Sequence, residues 1–259
     1  MKEEIQKKLQ DIESENQVQI AYACESGSRA WGFPSADSDY DVRFIYLRPK
    51  NWYLSIDLES KRGVLEYPLD GQLDISGWDL RKALQLLRKF NPPLIEWLGS
   101  PIVYLEKSSI PDRMRDLVSR HFTPVSCLYH YLHMAKGNYR DYLKGEAVWI
   151  KKYFYVLRPI LAIIWLERGL GVVPTEFQVL VDRVVDSTEL KAEIANLVKA
   201  KRQGAELDYG QRIPTISDFI EGELARLERK RFEHRHGEPM MPVGELNDVF
   251  RSALRELWA

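Results

Sequence analysis

Two carboxylates spaced i and i+2 at the start of an apolar run, just downstream of a Gly-Ser turn, constrain this chain more than anything else in it. The apolar run Val18-Gln19-Ile20-Ala21-Tyr22-Ala23-Cys24 reads as a buried strand that delivers the chain to Gly27-Ser28. A small-residue loop follows, and Asp39-Tyr40-Asp41 then opens a second strand over Tyr40–Leu47. Side chains on a strand alternate between faces, so Asp39, Asp41 and Arg43 share one face. Two like charges on one face repel unless a cation lies between them, so the pair reads as a divalent-metal site. Its hard oxygen ligands favour Mg²⁺ or Mn²⁺. A glycine at position 27 lets backbone approach a ligand closely, and the Ser28 hydroxyl with neighbouring N–H groups could bind phosphate oxygens. Arg43 either reaches a phosphate or balances the carboxylates.

Gly27-Ser28 followed by Asp39-x-Asp41 resembles the signature of the polymerase-β superfamily of nucleotidyltransferases. The extended form, Gly27 to Phe33 with Ser38-Asp39-Tyr40-Asp41-Val42-Arg43, is similar to a bacterial and phage branch of predicted nucleotidyltransferases, some encoded beside RNA ligases. The resemblance implies a third metal carboxylate on a later strand, two Mg²⁺ (or Mn²⁺) ions, and an NTP substrate, ATP by preference. It also implies that Gly27, Ser28 and Arg29 bind the triphosphate.

Asp70-Gly71 between the apolar runs 64–69 and 72–76 signals a tight hairpin. Asp74 lies mid-strand between Leu73 and Ile75, where a charge needs a reason. It is either an exposed residue on an alternating strand or the third metal ligand, and the Asp39/Asp41 pair upstream favours the ligand. Of the other acids nearby, Asp70 serves the turn and Asp79 caps the helix Leu80–Lys89. Asp37, in the loop, could only stand behind the metal ligands. Asn91-Pro92-Pro93 begins a short helix, and 101–105 reads as an edge strand. An amphipathic helix over 3–13 carries Ile5, Leu9 and Ile12.

From Ser108 onward the pattern is helical with no strand signal. Helices are expected from Ser109, from Thr123 toward Tyr142, and over Ala147–Arg168 (kinked at Pro159), Glu176–Val185, Glu189–Gln203, Ile216–Arg235 and Leu246–Trp258. Within residues 136–158, Lys136, Arg140, Lys144, Lys151, Lys152 and Arg158 outnumber Asp141 and Glu146, in a chain of formal net charge −1. Aromatics interleave them, and Lys151, Tyr155 and Arg158 fall at i, i+4 and i+7 on one helix face. Such a face is either solvated surface over ordinary core aromatics or a grip for a nucleotide. Lys151, Lys152, Tyr155 and Arg158 are therefore nucleotide-binding candidates, and the active site would be a cleft between two domains. The mixed-charge run 226–236 reads as a solvated helix face. The five histidines show no zinc spacing, and His130 and His133 are the two that could meet phosphate.

The expected fold is α+β: a nucleotidyltransferase domain over 1–107, with a mixed sheet and flanking helices, then a helical nucleotide- and acceptor-binding domain over 108–259. Near-zero net charge excludes a global basic field for nucleic acid, and nothing indicates DNA specificity. Cys24 and Cys127 suit a reducing cytoplasm better than a disulfide framework. Neither a leader segment nor a membrane span is expected, since the longest apolar run, near 160–166, is too short. The branch's association points to an RNA 3′ end as acceptor, with an RNA ligase as a candidate partner. A protein side chain or a small molecule such as an aminoglycoside remains open. The rival reading is a catalytically silent nucleotide-sensing module, against which the intact set of acids counts.

Overall fold

Three apolar residues on one stripe, Ile5, Leu9 and Ile12, make the first helix and bury it. The structure, a computed structural model, describes residues 1–204, 208–230, 232 and 241–258. Helix α1 (Lys2–Asn16) ends at Gln17, whose left-handed backbone returns its N–H to the Glu13 carbonyl. Strand β1 (Gln19–Ser26) runs into the five-residue α2 (Gly27–Trp31), and β2 (Tyr40–Leu47), α3 (Lys50–Tyr53), β3 (Val64–Glu66) and β4 (Leu73–Asp79) follow. After α4 (Leu80–Leu87) and α5 (Pro92–Leu98) come β5 (Val103–Glu106) and α6 (Ile110–His121). The strands form one mixed sheet in the order β3-β4-β2-β1-β5, with β2 and β4 parallel and the other neighbours antiparallel.

One face of this sheet meets α1, where Ile20, Val42, Phe44, Tyr46 and Ile75 bury against Ile5, Leu9 and Ile12. Gly77 is small of necessity, because a Cβ there would sit 2.2 Å from the Phe44 ring. Helices α4, α5 and α6 pack on β1 and β2. Strand β4 passes directly into α4 at Asp79, whose Oδ1 accepts the Arg81 N–H at 2.8 Å, the cap expected from sequence. Its Oδ2 accepts the Tyr53 hydroxyl at 2.7 Å.

The remaining elements are α7 (Val125–Asn138), a π-turn (Tyr139–Leu143), β6 (Ala147–Trp149), α8 (Lys152–Glu167), α9 (Phe177–Val184), α10 (Thr188–Arg202), β7 (Tyr209–Gln211), α11 (Pro214–Glu228) and α12 (Val243–Leu257). Residues 147–149 are not the helix start that the sequence suggested. They pair antiparallel with β7, Val148 buried and Ala147 exposed, and the helix begins only at Lys152. Part of the helix expected over Ile216–Arg235 lies outside the described residues; its described portion is α11.

Two compact units emerge, and they do not divide at residue 107. The first holds residues 1–30 and 39–122 and recovers α12 from the chain's end. Helix α6 stays with the sheet because it packs on β1, and α12 because it packs on α4 and α6. The Phe250 ring meets Tyr53 edge-on at 4.9 Å, and Glu245 takes Arg120 at 2.6 Å. The second unit holds residues 31–38 and the helices from α7 to α11. Inside it, Phe33 stacks on Phe154 at 4.4 Å and meets Phe177 edge-on. The buried Tyr153 hydroxyl pairs with Ser217 Oγ at 2.6 Å. The fold is α+β. Among the described residues no helix is long and apolar enough to cross a membrane. Cys24 and Cys127 are both buried.

Candidate active site

Pairing between strands brings the acids together. Asp41 stands beside Ser26 in the β1/β2 ladder and beside Asp74 in the β2/β4 ladder. In a parallel pair, residues in register point to the same face, so the Asp41 and Asp74 carboxylates are neighbours. Their face is the one opposite Val42, Phe44 and Ile75, which bury against α1. Asp39 sits one residue before β2 and two before Asp41. Gly27 begins α2 with φ +64°, and a Cβ built on it would lie 2.1 Å from Asp41 Oδ2. The residue preceding Ser28 must therefore be glycine for this carboxylate to lie where it does.

Arg43 supplies the cation that the like charges require. Its Nη2 donates to Asp41 Oδ1 at 3.1 Å and to Asp74 Oδ2 at 2.7 Å. Its Nη1 donates to the carbonyls of Asp74 and Val42. Of the two roles open to Arg43 in the sequence, the structure shows the balancing one. Burial pushes the Asp41 carboxyl up to about 6, with Arg43 opposing and the charges of Asp74 and Asp39 adding to the rise. Arg29 is turned to the same segment. Its Nε donates to the Asp39 carbonyl at 3.1 Å, and its guanidinium lies 3.6 Å from the Tyr40 ring centroid. Ser28 is half-buried in the same turn.

By chemistry these residues fit a divalent cation: every donor is a hard carboxylate oxygen, and the pair already holds one positive charge. Among the described residues, no group of three or more acids, histidines or cysteines is gathered tightly enough to hold a metal as it stands. Arg43 fills that role.

One acid was not foreseen. Glu25, fully buried at the end of β1, accepts the Asp41 backbone N–H at 2.8 Å and the Tyr104 hydroxyl. Its carbonyl accepts Ser100 Oγ at 2.6 Å. Burial pushes its carboxyl up to about 7 against the two hydrogen bonds. The available signal was an acid attached directly to a run of seven mostly apolar strand residues. Glu25 thus fastens the first turn of β2 to β1 and sets the height of Asp41.

The other candidates lie in the second unit. Lys151 is exposed just before α8. Lys152 Nζ sits among three rings, 4.4 Å from the Tyr142 centroid, 4.6 Å from Tyr155 and 5.2 Å from Trp149. Tyr155 meets Trp31 edge-on at 5.6 Å. Arg158 is buried rather than on a solvated face; its guanidinium lies 5.0 Å from the Trp31 centroid and reaches the Thr175 carbonyl. Helix α8 therefore gathers Lys152, Tyr155 and Arg158 around aromatic rings and leaves Lys151 to solvent. The wider basic patch is dispersed, with Lys136 beside Glu228 and Arg140 beside Asp141. Asp37 lies in the 31–38 segment, where the Ser35 hydroxyl holds its carboxyl below the usual range. His121 pairs with Glu245 in the first unit, whereas His234 and His236 lie outside the described residues.

Comparison with known proteins gives three findings. The family model RlaP, the RNA repair pathway DNA polymerase beta family, matches residues 1–252. The chain is 49% identical over 258 residues to the Bacillus subtilis (strain 168) protein named "Uncharacterized protein YcgL", covering 100% of this chain and 98% of that one. A crystal structure of a nucleotidyltransferase-like protein from Exiguobacterium sibiricum 255-15 aligns over 95% of this chain and 87% of its own. Its identity is 15% and its TM-score 0.32, too low to bear on fold.

Proposed function

Because this chain belongs to the RlaP family, the RNA repair pathway DNA polymerase beta family, we propose that it is a metal-dependent nucleotidyltransferase. It would move a nucleoside monophosphate from an NTP, ATP by preference, to an acceptor hydroxyl with loss of pyrophosphate. The observation that carries this reading is the register of β2 on β4, which sets Asp41 and Asp74 side by side with a single guanidinium between them. Asp39, Asp41 and Asp74 would hold Mg²⁺ or Mn²⁺. Two such ions, when bound, stabilise the charge on the attacking and leaving oxygens of an in-line displacement. Asp74 takes the acceptor's proton, and Gly27, Ser28 and Arg29 bind the β- and γ-phosphates. With a divalent cation held by Asp41 and Asp74, Arg43 would be free to serve the triphosphate. In the second unit Arg158 supports Tyr155 through Trp31. The family's RNA repair description favours an RNA 3′ end as acceptor.

The test is incubation with each α-labelled NTP, Mg²⁺ or Mn²⁺, and RNA, protein and aminoglycoside acceptors, followed by detection of label transfer and pyrophosphate. Asp41→Asn and Asp74→Asn are expected to lower turnover by about a thousandfold at an unchanged melting temperature. Full activity in a folded Asp41→Asn protein overturns the mechanism. NTP binding without transfer to any acceptor would make the chain a nucleotide-sensing module instead.

A further inference from the structure

Strand β4 carries Asp74 near its start and Asp79 at its end, so the two are separated by five residue steps, roughly 16 Å along an extended chain. At the Asp79 end a cavity of about 350 Å³ opens between α4 and the segment that precedes β3. Four cations line it: Lys61, Arg81, Lys82 and Lys89. The two acids in its wall are already engaged. Glu59 holds Arg81 at 2.6 Å, and Asp79 is committed to the Tyr53 hydroxyl and the Arg81 N–H. Lys61 is tied to Asp57 at 3.4 Å. Lys82 and Lys89 have no carboxylate within ion-pair distance among the described residues. One wall is the Trp52 ring, which already faces the Lys61 ammonium at 5.2 Å.

Cations converging on a concave surface repel one another, and in a chain of net charge −1 they have no general reason to gather. A multiply charged anion removes that repulsion, and the volume is at the small end of ligand pockets, enough for a phosphate chain but not for an extended apolar molecule. We infer that this cavity, at the far end of β4 from the carboxylates, is a second, phosphate-binding site. The shared chemistry is a phosphate group held by Lys82, Lys89 and Arg81. It can come from a free polyphosphate or from a nucleic-acid backbone. The site is independent of the catalytic reading and stands or falls without it.

Binding of two probes decides the matter: pyrophosphate and a short single-stranded oligoribonucleotide, each titrated calorimetrically in EDTA against the full chain. The Lys82→Ala/Lys89→Ala protein is expected to bind about tenfold or more weakly than the parent, since it loses two charge-assisted contacts. An exposed-lysine control on α1, Lys2→Ala/Lys7→Ala, is expected to match the parent. Loss for pyrophosphate alone identifies a free polyphosphate as ligand. Loss for the oligoribonucleotide alone identifies a nucleic-acid backbone, and loss for both a general phosphate subsite. Equal binding by parent and double variant, or binding of neither probe by the parent, overturns the inference. Thermal melts of every variant show whether lost binding reflects lost fold, and Lys82→Gln/Lys89→Gln, which keeps the aliphatic stems, must reproduce the loss.

Discussion

A methyl group at Gly27 would collide with the Asp41 carboxylate and would have to hold φ +64°, a conformation that alanine resists. Gly27→Ala is therefore expected to cost about 1–3 kcal/mol and to displace Asp41, lowering turnover with it. Urea unfolding checks the first part, and a Gly27→Ala protein with parental stability and activity would remove the close approach from the account. Glu25 supports a second residue-scale prediction. Its carboxyl titrates at about 7 in the folded protein and near the ordinary 4.5 when unfolded. Between those values the folded state binds the extra proton, so stability rises as pH falls from 7 toward 4.5 and is lost as pH rises through the folded value. Glu25→Gln keeps the acceptor for the Asp41 N–H and removes the titration. The parent should gain up to about 3 kcal/mol more than the variant between pH 8 and pH 5. Asp41 is raised in the same direction, and its charge adds to the rise at Glu25. Identical pH profiles for parent and variant would show that Glu25 is not the buried acid described.

At the scale of the element, α8 carries residues of opposite fate within two turns. Lys151, exposed at its start, can be cut to alanine within about 0.5 kcal/mol of parental stability. If it holds a phosphate, the same substitution raises the nucleotide KM about tenfold or more. Arg158, two turns further and buried against Trp31, is a packing residue whose loss leaves a hole. Arg158→Ala is expected to cost about 2–4 kcal/mol, read by urea unfolding. Should Arg158→Ala leave stability untouched and change only KM, the guanidinium faces ligand and not core. Element boundaries follow the same logic. The stretch Ala147-Val148-Trp149 is apolar and suits either helix or strand, and it is β7, some sixty positions later, that makes it a strand.

At the scale of the whole molecule, the chain's last helix completes the first unit. Helix α12 returns to the sheet-bearing unit and buries Leu246, Val249 and Ala253, so that unit is not a contiguous piece of chain. Deleting residues 243–259 should lower hydrogen-exchange protection in α4 and α6, which α12 covers, and leave α9 and α10 in the second unit protected. Unchanged protection in α4 and α6 would mean that α12 merely rests on the surface.

The sequence by itself determined the elements whose signals are local. Strand β2 occupies Tyr40–Leu47 as its apolar run indicates, Asp79 and Asn91 cap the helices they precede, and Asp70-Gly71 turns the hairpin. It also determined that Asp39 and Asp41 are two residues apart at the opening of a strand, because period 2 is a property of the backbone alone. What only the tertiary structure decided is what stands beside them. Strand order put Asp74 next to Asp41, register put Glu25 under the Asp41 N–H, and packing buried Arg158 and recruited α12 to the first unit. These are pairings between residues tens to hundreds of positions apart. Their energies come from burial and from charges brought together, neither of which exists until the chain has folded.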